Sequence, residues 1–218
     1  MRLARLLKIS FATLLLASGA IRAQAQQPAY GSPNEIAPLR MTAVEEASAP
    51  AGWKRYQFGD PLLFSAILPG APQAQSEKFT DAKGPLVVRL YMAASPTGGV
   101  YGLNYAEAAP TMALDKSETE SRRFFTNYMA GFIAGFKKGL QDRGMTAELE
   151  TQTSPERRVK ISGLDGYEQD IAIGPFNGRS QVVFLGRNIY AAIALWNQNN
   201  PLSERTAFFN SFQIRHAR

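Results

Sequence analysis

From Trp53 onward, apolar residues recur in short alternating runs broken by turn residues. "WKRYQF" and "LLFSAILPGAP" predict two short strands. Phe64, Ala66 and Leu68 share one face, and Pro69-Gly70 ends the second strand. "PLVVRLYMAAS" and "GVYGLNYAEA" predict a hairpin that turns at Pro96-Thr97-Gly98-Gly99. The period then changes. "LDKSETESRRFF" leads into a long helix reaching about Arg143, with Ser117 or Ser121 as N-cap and Gly144 as the natural residue after its end. Strand patterns return in "AELETQT", "ERRVKIS", "GYEQDIAI" and "RSQVVFLG". "NIYAAIALW" closes a hairpin through Gly186-Arg187-Asn188, and "PLSERTAFFNSF" predicts a second helix with Ser203 as N-cap after Pro201. Strands, a helix, more strands and a helix describe an α+β protein with a mostly antiparallel sheet, not alternating βαβ units.

The strand "IYAAIALW" refines that architecture. Ile189, Ala191, Ile193 and Leu195 lie on one face and Tyr190, Ala192, Ala194 and Trp196 on the other. Both faces are apolar, so the strand is expected to be covered on both sides, with helices on both faces of the sheet in an α/β/α sandwich.

Within "MAGFIAGFKKGL", Gly131, Gly135 and Gly139 stand four apart. On a helical wheel they form a narrow edge beside Phe124, Phe125, Tyr128, Phe132 and Phe136, opposite a polar or small arc that includes Arg123, Lys137 and Lys138. Lysines interrupt the apolar run well short of the ~20 residues that a membrane span needs. Each interior glycine costs about 1 kcal/mol relative to alanine, so the stripe is expected to pack at close range, with the shallow Ala192–Ala194 face as its seat. A lipid-binding or self-associating surface helix is the alternative, and it requires an uncovered aromatic face.

The chain's beginning reads as a secretory signal. Arg2, Arg5 and Lys8 precede a short apolar stretch, and Ala23-Gln24-Ala25 forms a cleavage site before Gln26. Residues 26–51 are rich in Ala, Pro, Gln, Ser and Glu and predict a flexible leader, followed by one domain over 52–218. Four of the 24 Lys and Arg (Arg2, Arg5, Lys8, Arg22) lie in the first 25 residues, which hold no acid. The remaining 20 face 18 Asp and Glu, a net charge of +2. That balance, with "ERRVK" as its densest basic run, argues against a nucleic-acid partner. The chain has no cysteine, which excludes disulfides, thiolate zinc sites and a cysteine nucleophile. No transmembrane segment is expected in the mature chain, and the protein is expected in the periplasm or secreted.

Few residues carry chemistry. The one histidine, His216, lies three residues from the end, where it cannot anchor a Ser–His–Asp system or a metal site by itself. "GPFNGRS" and "SPTGGVYG" hold glycines but lack the strand–loop–helix setting and lysine of a phosphate-binding loop. Glu168 and Asp170, two apart in "YEQD", share one strand face, expected to be solvated. Arg179 and Arg187 are candidate cross-strand partners for them, and the four together make a candidate polar interaction surface. No catalytic residue, cofactor or metal is expected.

"W-K-R-Y … FSAILPGAP", "GLDGYEQD" and "FLGRNIYAAIAL … AFFNSFQI" resemble an exported bacterial domain of the PsbP/Mog1-type α/β/α sandwich, over about Trp53 to Ile214. The motifs are structural: a Pro-Gly turn, a Gly-rich turn before a strand, and a tyrosine-bearing strand followed by a helix ending in Ser-Phe. The resemblance implies an accessory, protein-binding role with no active site to transfer, and it does not choose the partner. The expectation is therefore an exported, non-catalytic module of the cell envelope that binds another envelope protein, of unstated oligomeric state. The alternative is a small-molecule or lipid-binding protein, or a carboxylate-only enzyme, whose pocket Tyr91, Tyr101, Tyr105, Tyr167, Tyr190 and Trp196 would line.

Overall fold

The computed structural model describes residues 36–81, 84–109, 114, 117–142 and 149–215. The signal peptide with its cleavage before Gln26, the helix-ending Gly144 and His216 lie outside the described residues. In chain order the elements are β1 (Met41–Val44), β2 (Lys54–Phe58), β3 (Phe64–Leu68), β4 (Gln73–Asp81), β5 (Gly84–Ala94) and β6 (Gly99–Ala108). Then come α1 (Glu118–Gln141), β7 (Thr151–Thr153), β8 (Arg157–Ile161), β9 (Leu164–Ile173), β10 (Phe176–Leu185), β11 (Asn188–Trp196), α2 (Leu202–Ser211) and β12 (Gln213–Ile214).

The strands form two sheets, and every pairing is antiparallel. The smaller has the order β1-β2-β3-β12. The larger runs β4-β5-β6-β11-β10-β9-β7, with β8 also paired to β9. Short turns set the registers. The β5–β6 turn falls where "SPTGG" predicts it, closed by Ser95 N–H donating to Gly99 O at 2.7 Å. The β10–β11 turn pairs Leu185 with Asn188 across two residues, and Gly186 takes the φ of +58° such a turn requires.

Two cores result. On one face of the large sheet, Leu90, Met92, Ala106, Tyr167, Ile171, Val182, Ile189, Ala191 and Ile193 pack with Phe124, Phe125, Tyr128, Phe132 and Phe136 of α1. On the other, Tyr91, Tyr101, Leu103, Tyr105, Tyr190, Ala192 and Ala194 pack with Phe58, Phe64 and Leu68 of the small sheet and with Phe208 and Phe209 of α2. The second face of the large sheet therefore meets a sheet as well as a helix, where helices alone were expected.

Ser117 caps α1 as predicted, its hydroxyl accepting from Glu120 N–H at 3.2 Å, while α2 starts one residue after Pro201 with no side-chain cap from Ser203. Gly131, Gly135 and Gly139 are buried. Their expected seat is corrected: α1 shares its core with Ala191, and Ala192 and Ala194 belong to the opposite one. The face of the large sheet that α1 covers includes Gly102, Asn104 and Ala106 of β6, which alternate with the bulky Tyr101, Leu103 and Tyr105 of the other face.

Order also begins earlier than expected. β1 lies inside the segment read as a leader and pairs with β2 from Met41↔Phe58 to Val44↔Arg55. Leu39 N–H donates to the Tyr91 hydroxyl at 2.8 Å, and Glu46 binds Arg55 at 2.7 Å.

Candidate functional site

The polar strand face of β8, β9 and β10 gathers Glu168, Asp170, Arg157, Arg179 and Gln181. Antiparallel register sets Arg179 opposite Asp170, and both Arg157 and Gln181 opposite Glu168. Arg157 Nη2 donates to Glu168 Oε1 at 2.7 Å and to Asp170 Oδ2 at 2.8 Å. Arg179 Nε donates to Asp170 Oδ1 at 2.7 Å, and Gln181 Nε2 to Glu168 Oε2 at 2.8 Å. Arg179 Nη1 lies 3.9 Å from Glu168 Oε2. Burial of Asp170 acts to raise its pKa, but the hydrogen bonds from Arg179 and Arg157 together outweigh it and hold the carboxyl below its usual value. Hydrogen bonding to Glu168 and then Asp170 raises Arg157.

The expectation of a solvated face is corrected here. Glu168 is a buried residue, its side chain 10% exposed, whereas Asp170 is 37% exposed. β8 pairs alongside β9 and brings Arg157 onto the carboxylate that simple alternation left in water. Arg187 does not join the cluster. It sits in the β10–β11 turn, about 20 Å along the strand from Arg179, and pairs with Glu107 of β6 at 2.6 Å.

A second polar cluster went unpredicted. Glu204, in the first turn of α2, is buried, and its Oε2 accepts from Thr97 Oγ1 at 2.7 Å, Asn200 Nδ2 at 2.8 Å and the Tyr101 hydroxyl at 3.4 Å. The single Tyr101 hydroxyl proton is shared between that oxygen and Asn200 Oδ1 at 3.1 Å, and the hydroxyl's pKa is pushed up, chiefly by burial. The cluster ties the β5–β6 turn to the start of α2. Its partners are about a hundred residues apart in sequence, so no local spacing announces it.

Of the aromatic residues named for the alternative pocket, Tyr91, Tyr101, Tyr105, Tyr167 and Tyr190 fill the cores and Trp196 packs half-buried against one of them. Trp53 meets Tyr101 edge-on at 4.9 Å, Tyr105 lies 5.2 Å from Tyr190, and Phe58 lies 4.5 Å from Tyr91. Burial pushes Tyr190 up to about 12. Tyr167 belongs to the other core, stacked on Phe125 at 5.3 Å. Under α1, Tyr128, Asn104 and Ser180 are buried, the Asn104 side chain lies beside the Tyr128 hydroxyl, and no hydrogen-bond partner is found among the described residues for Ser180 Oγ.

A cleft of about 420 Å³ opens at the start of α1, between Ser117, Glu118 and Ser121 and the β9–β10 residues Leu164, Tyr167, Phe184 and Leu185. Arg158 crosses it, donating to Glu118 at 2.9 Å and approaching Asp165 at 3.3 Å. Among the described residues, no group of three or more His, Asp or Glu is placed to hold a metal ion, and no helix is long and apolar enough to cross a membrane.

No family model matches the sequence, and neither does any curated protein. Among solved structures, the chain is similar to the solution structure of cyanobacterial PsbP (CyanoP) from Synechocystis sp. PCC 6803. That similarity has 10% sequence identity and a TM-score of 0.47, and it covers 79% of this chain and 98% of that one. That structure bears one of the two names in the resemblance drawn from the motifs, and nothing about ligand, partner or activity follows from it.

Proposed function

We propose that this protein is an exported module of the cell envelope that binds another protein and does not catalyse a reaction. The observation that carries the reading is the engagement of its carboxylates. A general acid or base must reach the proton it moves. Glu168 and Asp170 each accept two hydrogen bonds from neighbouring strands, and Glu204 accepts three within the fold. The aromatic residues, stacked on one another, serve the cores. The residues left to act are the outward charges and the few exposed apolar side chains.

In-cell cross-linking of the exported protein tests this, followed by identification of the adducts and their reconstitution from purified parts. A chain that forms no specific adduct from any surface position would refute the reading.

The cleft at the start of α1 favours the second reading, a small-molecule binder. Its volume falls within the 300–1,000 Å³ range of ligand sites. A ligand seated there competes with Arg158 for Glu118, so Arg158→Ala should change its affinity in a thermal-shift screen.

A further inference from the structure

We infer that the surface formed by β8, β10 and the start of α2 docks an acidic segment of another protein, held by Arg157, Arg179 and Arg205 around an exposed leucine. This inference rests on the protein-binding reading and names the chemistry of the partner. Arg157, Asp170 and Arg179 share the strand face on which α2 lies. Arg179 reaches α2 itself, its guanidinium 5.9 Å from the Phe209 ring centre. One helical turn earlier, Arg205 sits 4.8 Å over the Trp196 ring. Leu202, three residues before Arg205, lies on the same helix face and is 69% exposed, the most exposed large apolar residue among those described.

The charge is layered. The Glu168 carboxylate lies beneath, 10% exposed, while Arg157 and Arg179 are 45% and 38% exposed above it. Three guanidinium groups stand against three carboxylates, but Glu168 and Glu204 are buried and only Asp170, 37% exposed, shares the surface with the arginines, so the outward groups are mainly positive. Each arginine is positioned by a partner inside the fold: Arg157 by Glu168 and Asp170, Arg179 by Asp170 and Phe209, Arg205 by Trp196. A planar guanidinium fixed in this way offers its remaining N–H edge to a carboxylate, with less side-chain entropy to lose on binding. Arginine and tryptophan around an exposed apolar anchor is also the composition of an interface centre.

The test uses purified full-length exported protein and three fluorescein-labelled ten-residue probes, alternating Glu–Leu, Gln–Leu and Lys–Leu, read by anisotropy at low salt. The Glu–Leu peptide should bind and the other two should not. Arg205→Gln should weaken binding by about tenfold, the equivalent of about 1.4 kcal/mol. Arg205→Lys should recover only part of it, because an ammonium lacks the fork. Lys138→Gln, on the solvated face of α1, should leave binding unchanged. Equal binding of the Gln–Leu peptide, or an unaffected Arg205→Gln, overturns the proposal.

A photoreactive benzoylphenylalanine at position 202 or 138, in exporting cells, separates this inference from the reading beneath it. A protein adduct at 202 that Arg205→Gln abolishes supports both. Adducts at 138 alone refute this surface and leave the binding module standing. Adducts at neither position refute this surface and count against the module as well.

Discussion

Glu168→Ala should cost far more than a surface substitution. The side chain is 10% exposed and accepts from Arg157 at 2.7 Å and Gln181 at 2.8 Å. Its loss removes two hydrogen bonds to a charged acceptor, but they are not equal. Arg157 is 45% exposed and keeps Asp170, so solvent screening holds that share below about 1 kcal/mol. The half-buried Gln181 amide loses a charged partner, a change of about 1.5–3 kcal/mol. Together these give about 2–3 kcal/mol. For a chain of this size each kcal/mol moves Tm by about 2–4 °C, so the midpoint should fall by about 4–12 °C. Glu168→Gln keeps one acceptor oxygen and should lose about half as much. Thermal melts followed by circular dichroism at pH 7 measure both, and a urea-unfolding cycle with Gln181→Ala isolates the pair, which should couple by at least about 0.5 kcal/mol. A fall in Tm below about 1 °C, or additive single variants, would show that the carboxylate is effectively in water and that the burial argument is wrong.

Asp170 ties stability to pH. Its folded carboxyl is held below the unfolded value, so its contribution is present above the ordinary carboxylate range and is lost as pH falls through the depressed folded value. Urea midpoints should drop between pH 5 and pH 3 with a smaller slope in Asp170→Asn; an identical slope would remove Asp170 as a source. Glu204→Ala strands Thr97, Asn200 and Tyr101 around a buried gap and should cost about 2–4 kcal/mol in urea unfolding, whereas an effect under 0.5 kcal/mol would mean water replaces the carboxylate at no loss. Gly135 is buried on α1, so Gly135→Leu should lower the urea midpoint by overpacking, about 1–3 kcal/mol, and Gly135→Ala should lower it less, the added methyl outweighing the ~1 kcal/mol of helix propensity it gains. A raised midpoint for Gly135→Ala would mean that the glycine edge has room beside it.

Local pattern specifies elements, and distant pairing builds sites. The alternating runs after Trp53 were legible because each strand buries one or both faces, and the change to a helical period at Ser117 was legible for the same reason. The edge strands β1 and β4 were not. Met41–Val44 is exposed along its length, and in Gln73–Asp81 the apolar residues are only Ala74 and Phe79. An edge strand is held by backbone pairing on one side and leaves little hydrophobic trace. The two-faced character of Asn188–Trp196 could be read directly, yet Ala191 and Ala192 are equivalent in pattern, and the wrong one was assigned to α1. The strand β6 shows which face is shallow. In "YGLNYA" the bulky Tyr101, Leu103 and Tyr105 crowd one face while Gly102, Asn104 and Ala106 leave the other shallow, but that alternation bears on α1 only once β6 pairs with β11. Glu168 failed in the same way. Its alternation with Tyr167 and Gln169 was correct, but its burial came from Arg157, eleven residues earlier, and Gln181, thirteen later. The arginine row follows this rule too. Arg157, Arg179 and Arg205 stand in three unrelated segments with no common spacing, and the rings and carboxylates that orient them converge only after β8 pairs with β9 and α2 packs on the same face. A surface assembled from three segments leaves no motif, and this one shows itself only through buried carboxylates and rings that hold arginines at the exterior.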